Sequence, residues 1–103
     1  MSETITLPDE CATMEQVRAG VDATDRELMA LLARRFGYMR AAARIKPTRE
    51  SVRDEVRKAA VIAAAAADAR ARGLPEREIA EIWDLLVETS IAYELEIWDA
   101  TRN

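Results

Sequence analysis

A stripe of apolar residues at helical spacing dominates the first half of the chain. Its members recur every three or four positions, which places them on one face of a single helix. The stripe consists of Met14, Val17, Val21, Leu28, Leu31, Leu32, Tyr38, Met39 and Ala42. Thr13 and Gln16 resemble a capping box at its start, and Pro47 disfavours helical geometry at the residue before it. We therefore expect a first helix from Thr13 to Ile45.

Two further helices complete the predicted fold. No segment alternates apolar and polar residues with enrichment in β-branched side chains, so the sequence predicts an all-α protein of one long, one short and one long helix. The second helix is expected from Ser51, with Asp54 three residues later, to Gly73, a natural left-handed cap. Pro75 suits the first turn of the third helix. The expected buried side of that helix comprises Ile79, Ile82, Trp83, Leu86, Ile91, Ile97 and Trp98.

The length of the first helix predicts a second copy of the chain. About 30 residues at ~1.5 Å rise span ~45 Å, whereas a compact chain of this size has a diameter of roughly 33 Å. The same helix of a twofold partner is the simplest cover for the overhanging stripe, so we expect an intertwined helical-bundle homodimer. A lone extended coiled coil is the alternative, but the heptads are not strict. Residues 13–100 form the expected domain, and residues 1–12 a flexible leader.

Composition excludes several classes of function. The 103 residues include no histidine and one cysteine, so the usual metal-binding sets, serine and cysteine triads and an internal disulfide lack their parts. A net charge of −4 argues against a general nucleic-acid binder. No run of ~18 apolar residues could span a membrane, and no secretory signal is visible, so a cytoplasmic location is expected. We expect neither a metal nor a cofactor.

Cations interrupt the apolar stripe of the first helix. Arg35 falls among its core positions. Lys46, eleven positions later, differs from Arg35 by ~20° around an ideal helix and lies ~16 Å along it, so both can face one cavity if the helix end bends. Arg18 precedes Arg35 by seventeen positions and is rotated by ~100°. It cannot join that cavity from the same straight helix, but it could do so from a partner chain.

Polar groups also interrupt the other two helices. Arg57 lies early in the second helix, and Ser90 and Glu94 interrupt a buried row of i+4 positions on the third. Each cation taken singly is better explained as solvated surface charge than as a site residue, and Arg35 could form an internal ion pair with Asp25 or Glu94. As a set, several cations without histidine or metal ligands suit a small dianion or trianion. They suit poorly a reaction that needs a strong general base.

At these residues the chain resembles the AroQ class of chorismate mutases, an all-α dimeric family that also contains isochorismate pyruvate lyases. The segment "VRAGVDATDRELMALLARRFGYMRAAARIK" matches the family's first helix, "RDEVR" matches the start of the second, and "SIAYE" matches the end of the third. The resemblance implies a small anionic substrate and two active sites, each shared between the protomers of a homodimer.

The resemblance also implies how the substrate is held. Its carboxylates and ether oxygen would be bound by a set of cations, namely Arg18 of one protomer with Arg35, Lys46 and Arg57 of the other. Glu94 would lie beside the ether oxygen, and Ser90 and Asp54 would line the pocket. Rearrangement of chorismate to prephenate removes no proton and forms no covalent intermediate, so holding the compact conformer and stabilising charge at the breaking C–O bond suffice. Lys46, Glu94 and Arg35 would be the catalytic residues of such a mutase in aromatic amino-acid biosynthesis.

Two other functions stay open. Lys58 stands where mutases often carry a glutamate against the ring hydroxyl, and the segments "LPDEC" and "W-x-x-T-R" resemble the lyase branch. These features favour an isochorismate pyruvate lyase that gives salicylate and pyruvate. The third possibility is a non-catalytic helical dimerisation or regulatory module, whose basic pocket is structural or binds an effector.

Overall fold

The computed structural model describes residues 5–102, which contain three α-helices and no strand. Helix α1 is Met14–Ile45, α2 is Glu55–Ala71 and α3 is Glu76–Ala100. Two short 3₁₀ helices lie at Pro8–Glu10 and Arg49–Val52. The predicted all-α class and the order of helix lengths are confirmed. Within the described range, none of the helices combines the length and the apolar character that a membrane crossing requires.

Local hydrogen bonds define the two ends of α1. The backbone N–H of Gln16 donates to Thr13 Oγ1 at 3.2 Å, and Gln16 Oε1 accepts from the N–H of Thr13 at 3.1 Å. This is the predicted capping box, in which two orphan donors are satisfied reciprocally. The helix ends at Ile45, as predicted, two residues before Pro47.

Helix α2 begins four residues later than predicted, at Glu55 instead of Ser51. Hydrogen bonds to Thr48 hold Ser51 in a different turn. Thr48 Oγ1 accepts from the N–H of Ser51 at 3.3 Å, and Ser51 Oγ donates to the Thr48 carbonyl at 2.6 Å. These bonds close a 3₁₀ turn. Asp54, expected inside the helix, caps it instead, because its Oδ1 accepts from the N–H of Arg57 at 3.0 Å.

The connection from α2 to α3 follows the predicted signals closely. Gly73 has φ +70°, the left-handed conformation in which glycine is favoured. The N–H of Leu74 donates to the Ala69 carbonyl at 2.8 Å, which completes a Schellman motif. Pro75 is the N-cap of α3, one position before the expected first turn.

The chain divides into two compact units, Met1–Phe36 and Gly37–Asn103, called the N-terminal and the C-terminal unit. In the N-terminal unit the described part of the leader lies along the first turns of α1. A β-carbon on Gly20 would be 3.9 Å from both Ile5 Cγ2 and the Thr6 carbonyl oxygen. A cavity of about 430 Å³ lies between leader and helix, with Leu7 and Val17 in its lining. Residues 1–4 lie outside the described range, and the flexibility of the leader stays a prediction.

The C-terminal unit contains the hydrophobic core. Val52, Val87 and Ile91 are buried and contact one another, and Val61, Leu95 and Trp98 pack against them. The core therefore joins the turn before α2 to the second half of α3. Ile82, predicted on the buried side of α3, is instead 54% exposed in the single chain.

Much of the apolar stripe of α1 is uncovered in the single chain. The large apolar residues of this helix that keep more than half of their surface exposed are Met14, Val21, Leu28, Met29, Leu31, Tyr38 and Ile45. An exposed stripe of this size is typical of an interaction surface.

Candidate active site

An ion pair between Lys46 and Glu94 forms the centre of the candidate site in the C-terminal unit. Lys46 Nζ lies 2.8 Å from Glu94 Oε2 and also donates to the Val52 carbonyl at 3.1 Å. The Glu94 side chain is 4% exposed, whereas 30% of the Lys46 side chain reaches solvent. The carboxylate is thus nearly enclosed, and the ammonium group lies at the boundary between the core and water.

The end of helix α1 and contacts from the end of α3 explain the position of Lys46. Pro47 stops α1, so Lys46 is the first residue after the helix. Its carbonyl oxygen accepts from Trp98 Nε1 at 3.1 Å and from Arg102 Nη2 at 2.9 Å. Lys46 is therefore bound to α3 and the residues after it through both its backbone and its side chain.

Ser90 and Glu94 are buried neighbours on α3, as the interrupted row of the third helix predicted. Each is only 3% exposed, and they are separated by one helical turn. The Ser90 hydroxyl donates to the Leu86 carbonyl at 2.7 Å within its own helix. Two polar groups therefore occupy the same buried face as the apolar core.

Asp54 and Arg57 lie at the start of α2, where both are exposed. One carboxylate oxygen of Asp54 accepts the N–H of Arg57, so this acid is a helix cap in the structure. Its role in lining a substrate pocket, and the role of Arg57 in binding carboxylates, stay predictions.

Arg18 and Arg35 lie on the part of α1 that belongs to the N-terminal unit. Arg18 is exposed and lines a shallow depression of about 460 Å³ with Glu15, Asp22 and Arg26. Arg35 is half-buried. The sequence offered Asp25 and Glu94 as alternative ion-pair partners of Arg35. In the structure the carboxylate of Glu94 is paired with Lys46. That Arg18 and Arg35 join the site of Lys46 and Glu94 stays a prediction.

Lys58 belongs to a cluster of charges that sequence reasoning missed. Its Nζ lies 2.7 Å from Glu88 Oε2 and 3.3 Å from Asp84 Oδ1, and the Arg53 guanidinium binds Glu88 through bonds of 2.8 and 3.0 Å. Hydrogen bonds from Arg53, and then from Lys58, lower the pKa of Glu88 to about 2. Hydrogen bonding to Glu88 in turn raises the pKa of Lys58. The i,i+4 spacing of Asp84 and Glu88 was the signal available in the sequence.

The chemistry open to these groups is positioning and charge stabilisation. A lysine ammonium donates hydrogen bonds and carries a positive charge, and a carboxyl group donates only when it is protonated. Within residues 5–102, no three potential ligand side chains of Asp, Glu, Cys or His cluster closely enough to hold a metal ion.

Comparison with known proteins identifies the family of this chain. The family model of chorismate mutase type II matches residues 17–95, which include Lys46, Glu94 and the five other polar residues proposed around them. The chain is also similar to the isochorismate pyruvate lyase of Pseudomonas aeruginosa, with 26% identity over 96 residues that cover 93% of this chain and 95% of the relative. Because the family match spans most of the chain, the protein belongs to the chorismate mutase type II family.

Proposed function

We propose that this protein is a chorismate mutase that converts chorismate to prephenate in aromatic amino-acid biosynthesis, in the cytoplasm. The observation that carries the proposal is the Lys46–Glu94 pair, a cation and a carboxyl group 2.8 Å apart at the edge of an apolar core. Such a pair supplies a positive charge and hydrogen-bond donors at one point. A unimolecular rearrangement needs only the reactive conformer and stabilisation of developing charge.

Lys46 is the proposed donor to the ether oxygen of the substrate. The ammonium group is partly exposed, so an anionic substrate can approach it from the solvent side. Negative charge grows on the ether oxygen as the C–O bond breaks, and a fixed cation there stabilises the transition state more than the ground state. Arg35 and Arg57 of the same protomer and Arg18 of a second one are the proposed carboxylate ligands.

Glu94 must change its protonation state for this mechanism to work. In the free protein its carboxylate accepts from Lys46. Beside the ether oxygen of an anionic substrate, an ionised carboxylate would repel the developing charge, whereas the protonated acid donates a hydrogen bond. We therefore propose that substrate binding favours the neutral form of Glu94.

A homodimer with shared active sites is part of the same proposal. The exposed apolar stripe of α1 supports it, because a second copy of this helix has matching shape and chemistry for a twofold interface. The partner's α1 would also bring the second Arg18 to the site.

Isochorismate pyruvate lyase is the second candidate, favoured by the similarity to the Pseudomonas aeruginosa enzyme. That similarity extends over nearly the full length of both chains, beyond the segment that the family model matches. Elimination of pyruvate from isochorismate can use the same arrangement of cations.

The test is to incubate the purified protein with chorismate and with isochorismate in parallel. The mutase forms prephenate from chorismate, and the lyase forms salicylate and pyruvate from isochorismate, so the products separate the two candidates. Turnover of isochorismate alone would contradict the proposal in favour of the lyase. Turnover of neither substrate would favour a non-catalytic module.

The Lys46→Ala variant tests the role of the residue that carries the proposal. We expect both kcat and kcat/KM to fall, because the interaction strengthens in the transition state. The matched control is Arg77→Ala, which removes an exposed arginine of the first turn of α3 and should leave both constants unchanged. A rise in KM alone would mean that Lys46 only binds the substrate.

A further inference from the structure

Two residues that follow Glu94 in the chain, Trp98 and Arg102, donate hydrogen bonds to the backbone at the C-terminal end of α1. Arg102 Nη2 donates to the carbonyl oxygens of Ala43 at 3.1 Å and of Lys46 at 2.9 Å, with a longer contact of 3.5 Å to Arg44. Trp98 Nε1 donates to the Lys46 carbonyl as well. We call Arg102 and Trp98 the C-terminal clamp.

The carbonyl of Ala43 has a specific need for such a donor. In a continuing helix it would accept from the backbone nitrogen four residues later, which here belongs to Pro47 and carries no hydrogen. Ala43 is 0% exposed, so water has little access to replace that donor. A buried carbonyl without a partner is costly. The Arg102 guanidinium supplies the missing hydrogen bond, and its positive charge also complements the C-terminal end of the α1 dipole.

The clamp is itself held in a fixed arrangement. The Arg102 guanidinium carbon lies 4.6 Å from the centroid of the Trp98 ring, which is a cation–π contact. Trp98 packs against the core of Val52, Val87 and Ile91. A planar guanidinium fork that is stacked on a packed indole ring has little freedom to leave the carbonyls it binds.

Lys46 is consequently fixed at both ends. The clamp binds its carbonyl oxygen through two donors, while Val52 and Glu94 bind its ammonium group. A lysine side chain has four rotatable bonds, so fixing the backbone and the ammonium group together restricts its position far more than either contact alone. A displacement of ~1 Å in a positioned catalytic group can lower a rate by ~100-fold.

We propose, resting on the proposed function, that Arg102 and Trp98 are positioning residues that hold Lys46 in its reactive place. The clamp acts through the Lys46 backbone and touches no substrate. A purely structural clamp would affect stability alone, whereas a positioning clamp affects kcat with little change in KM.

The experiment compares wild type, Arg102→Ala, Trp98→Phe and the control Arg77→Ala. Arg102→Ala is expected to lower kcat by ~10- to 100-fold while KM stays within about threefold. Trp98→Phe keeps an aromatic ring in the core but loses the N–H donor, and is expected to lower kcat about three- to tenfold, the equivalent of one hydrogen bond. Arg102→Lys keeps the charge without the fork, so partial recovery relative to Arg102→Ala is expected.

Hydrogen exchange measures the clamp without relying on catalysis. Backbone amides of residues 42–46 should exchange faster in Arg102→Ala and Trp98→Phe than in wild type, and should be unchanged in Arg77→Ala. Unchanged kcat in both clamp variants, or an effect confined to KM, would overturn the positioning role in an active enzyme. If wild type converts neither substrate, the proposed function fails, and unchanged exchange at residues 42–46 would then overturn the clamp separately. If Arg102→Ala does not fold, Trp98→Phe decides by the same two measurements.

Discussion

Replacing Lys46 by methionine should leave a nearly buried carboxylate without its partner. The lost contacts are the 2.8 Å ion pair with Glu94 and the 3.1 Å bond to the Val52 carbonyl. Breaking a fully buried pair from one side destabilises a protein by about 3–5 kcal/mol. Because 30% of the Lys46 side chain is exposed, solvent screens this pair, and we expect a loss of about 1–3 kcal/mol. For a domain of this size the melting temperature should fall by ~5–20 °C.

A second substitution identifies the cause of that loss. Adding Glu94→Gln to Lys46→Met replaces the unpaired charge by a neutral amide, so the double variant should recover at least half of the lost stability. Urea unfolding followed through the fluorescence of Trp83 and Trp98 measures this recovery, at one protein concentration because the stability of the proposed dimer would depend on concentration. Arg77→Met is the matched control, expected within ~0.5 kcal/mol of wild type. The reasoning fails if Lys46→Met is as stable as this control, or if the double variant is no more stable than the single one.

Three further predictions concern the shared site and its charges. Mixing inactive Arg18→Ala and Arg35→Ala chains should restore some activity, because one kind of site in the heterodimer is intact; no recovery after verified subunit exchange would exclude a composite site. Glu94→Gln, which carries a permanent N–H donor of nearly the same shape, should keep the activity of wild type; loss of activity in this variant would remove Glu94 as the donor. Because the pKa of Glu88 is lowered to about 2, its ionised form stabilises the folded state at pH values above the ordinary pKa of 4.5. This stabilisation is lost as the pH falls toward about 2. Glu88→Gln should therefore be less stable than wild type at neutral pH and lose less stability on acidification. Melting temperatures measured above pH 4.5 and near pH 2 check this expectation. Equal losses in the two proteins would show that Lys58 and Arg53 do not stabilise the fold through Glu88.

Helix ends were predictable where the deciding hydrogen bonds are local. Thr13 and Gln16 are three residues apart, and the conformation of Gly73 depends on its own missing side chain, so both signals can be read from a short segment. The start of α2 was mispredicted because Ser51 bonds to Thr48 in a competing 3₁₀ turn, and the sequence alone does not rank the two arrangements.

For contacts between distant segments, the sequence predicts that a group needs a hydrogen-bond partner but does not identify that partner. Pro47 implies that the Ala43 carbonyl lacks its helical donor, but the donor is Arg102, 59 positions later in the chain. In the same way, helical spacing placed Lys46 and Glu94 among candidate site residues, while their direct contact depends on how α3 packs against the end of α1. Arg18 adds a further requirement, since the predicted site needs this residue from a second copy of the chain.

The contact between the leader and Gly20 predicts how these two segments can vary together among relatives. A methyl group at position 20 would meet Ile5 and Thr6 at 3.9 Å, an ordinary van der Waals distance, so alanine fits and would favour the helix by roughly 1 kcal/mol. A larger side chain would extend from position 20 toward Ile5 and the backbone of Thr6. In homologous chains, bulk gained at the position of Gly20 should therefore coincide with a smaller residue at the position of Ile5, and the two positions should covary although fourteen residues separate them.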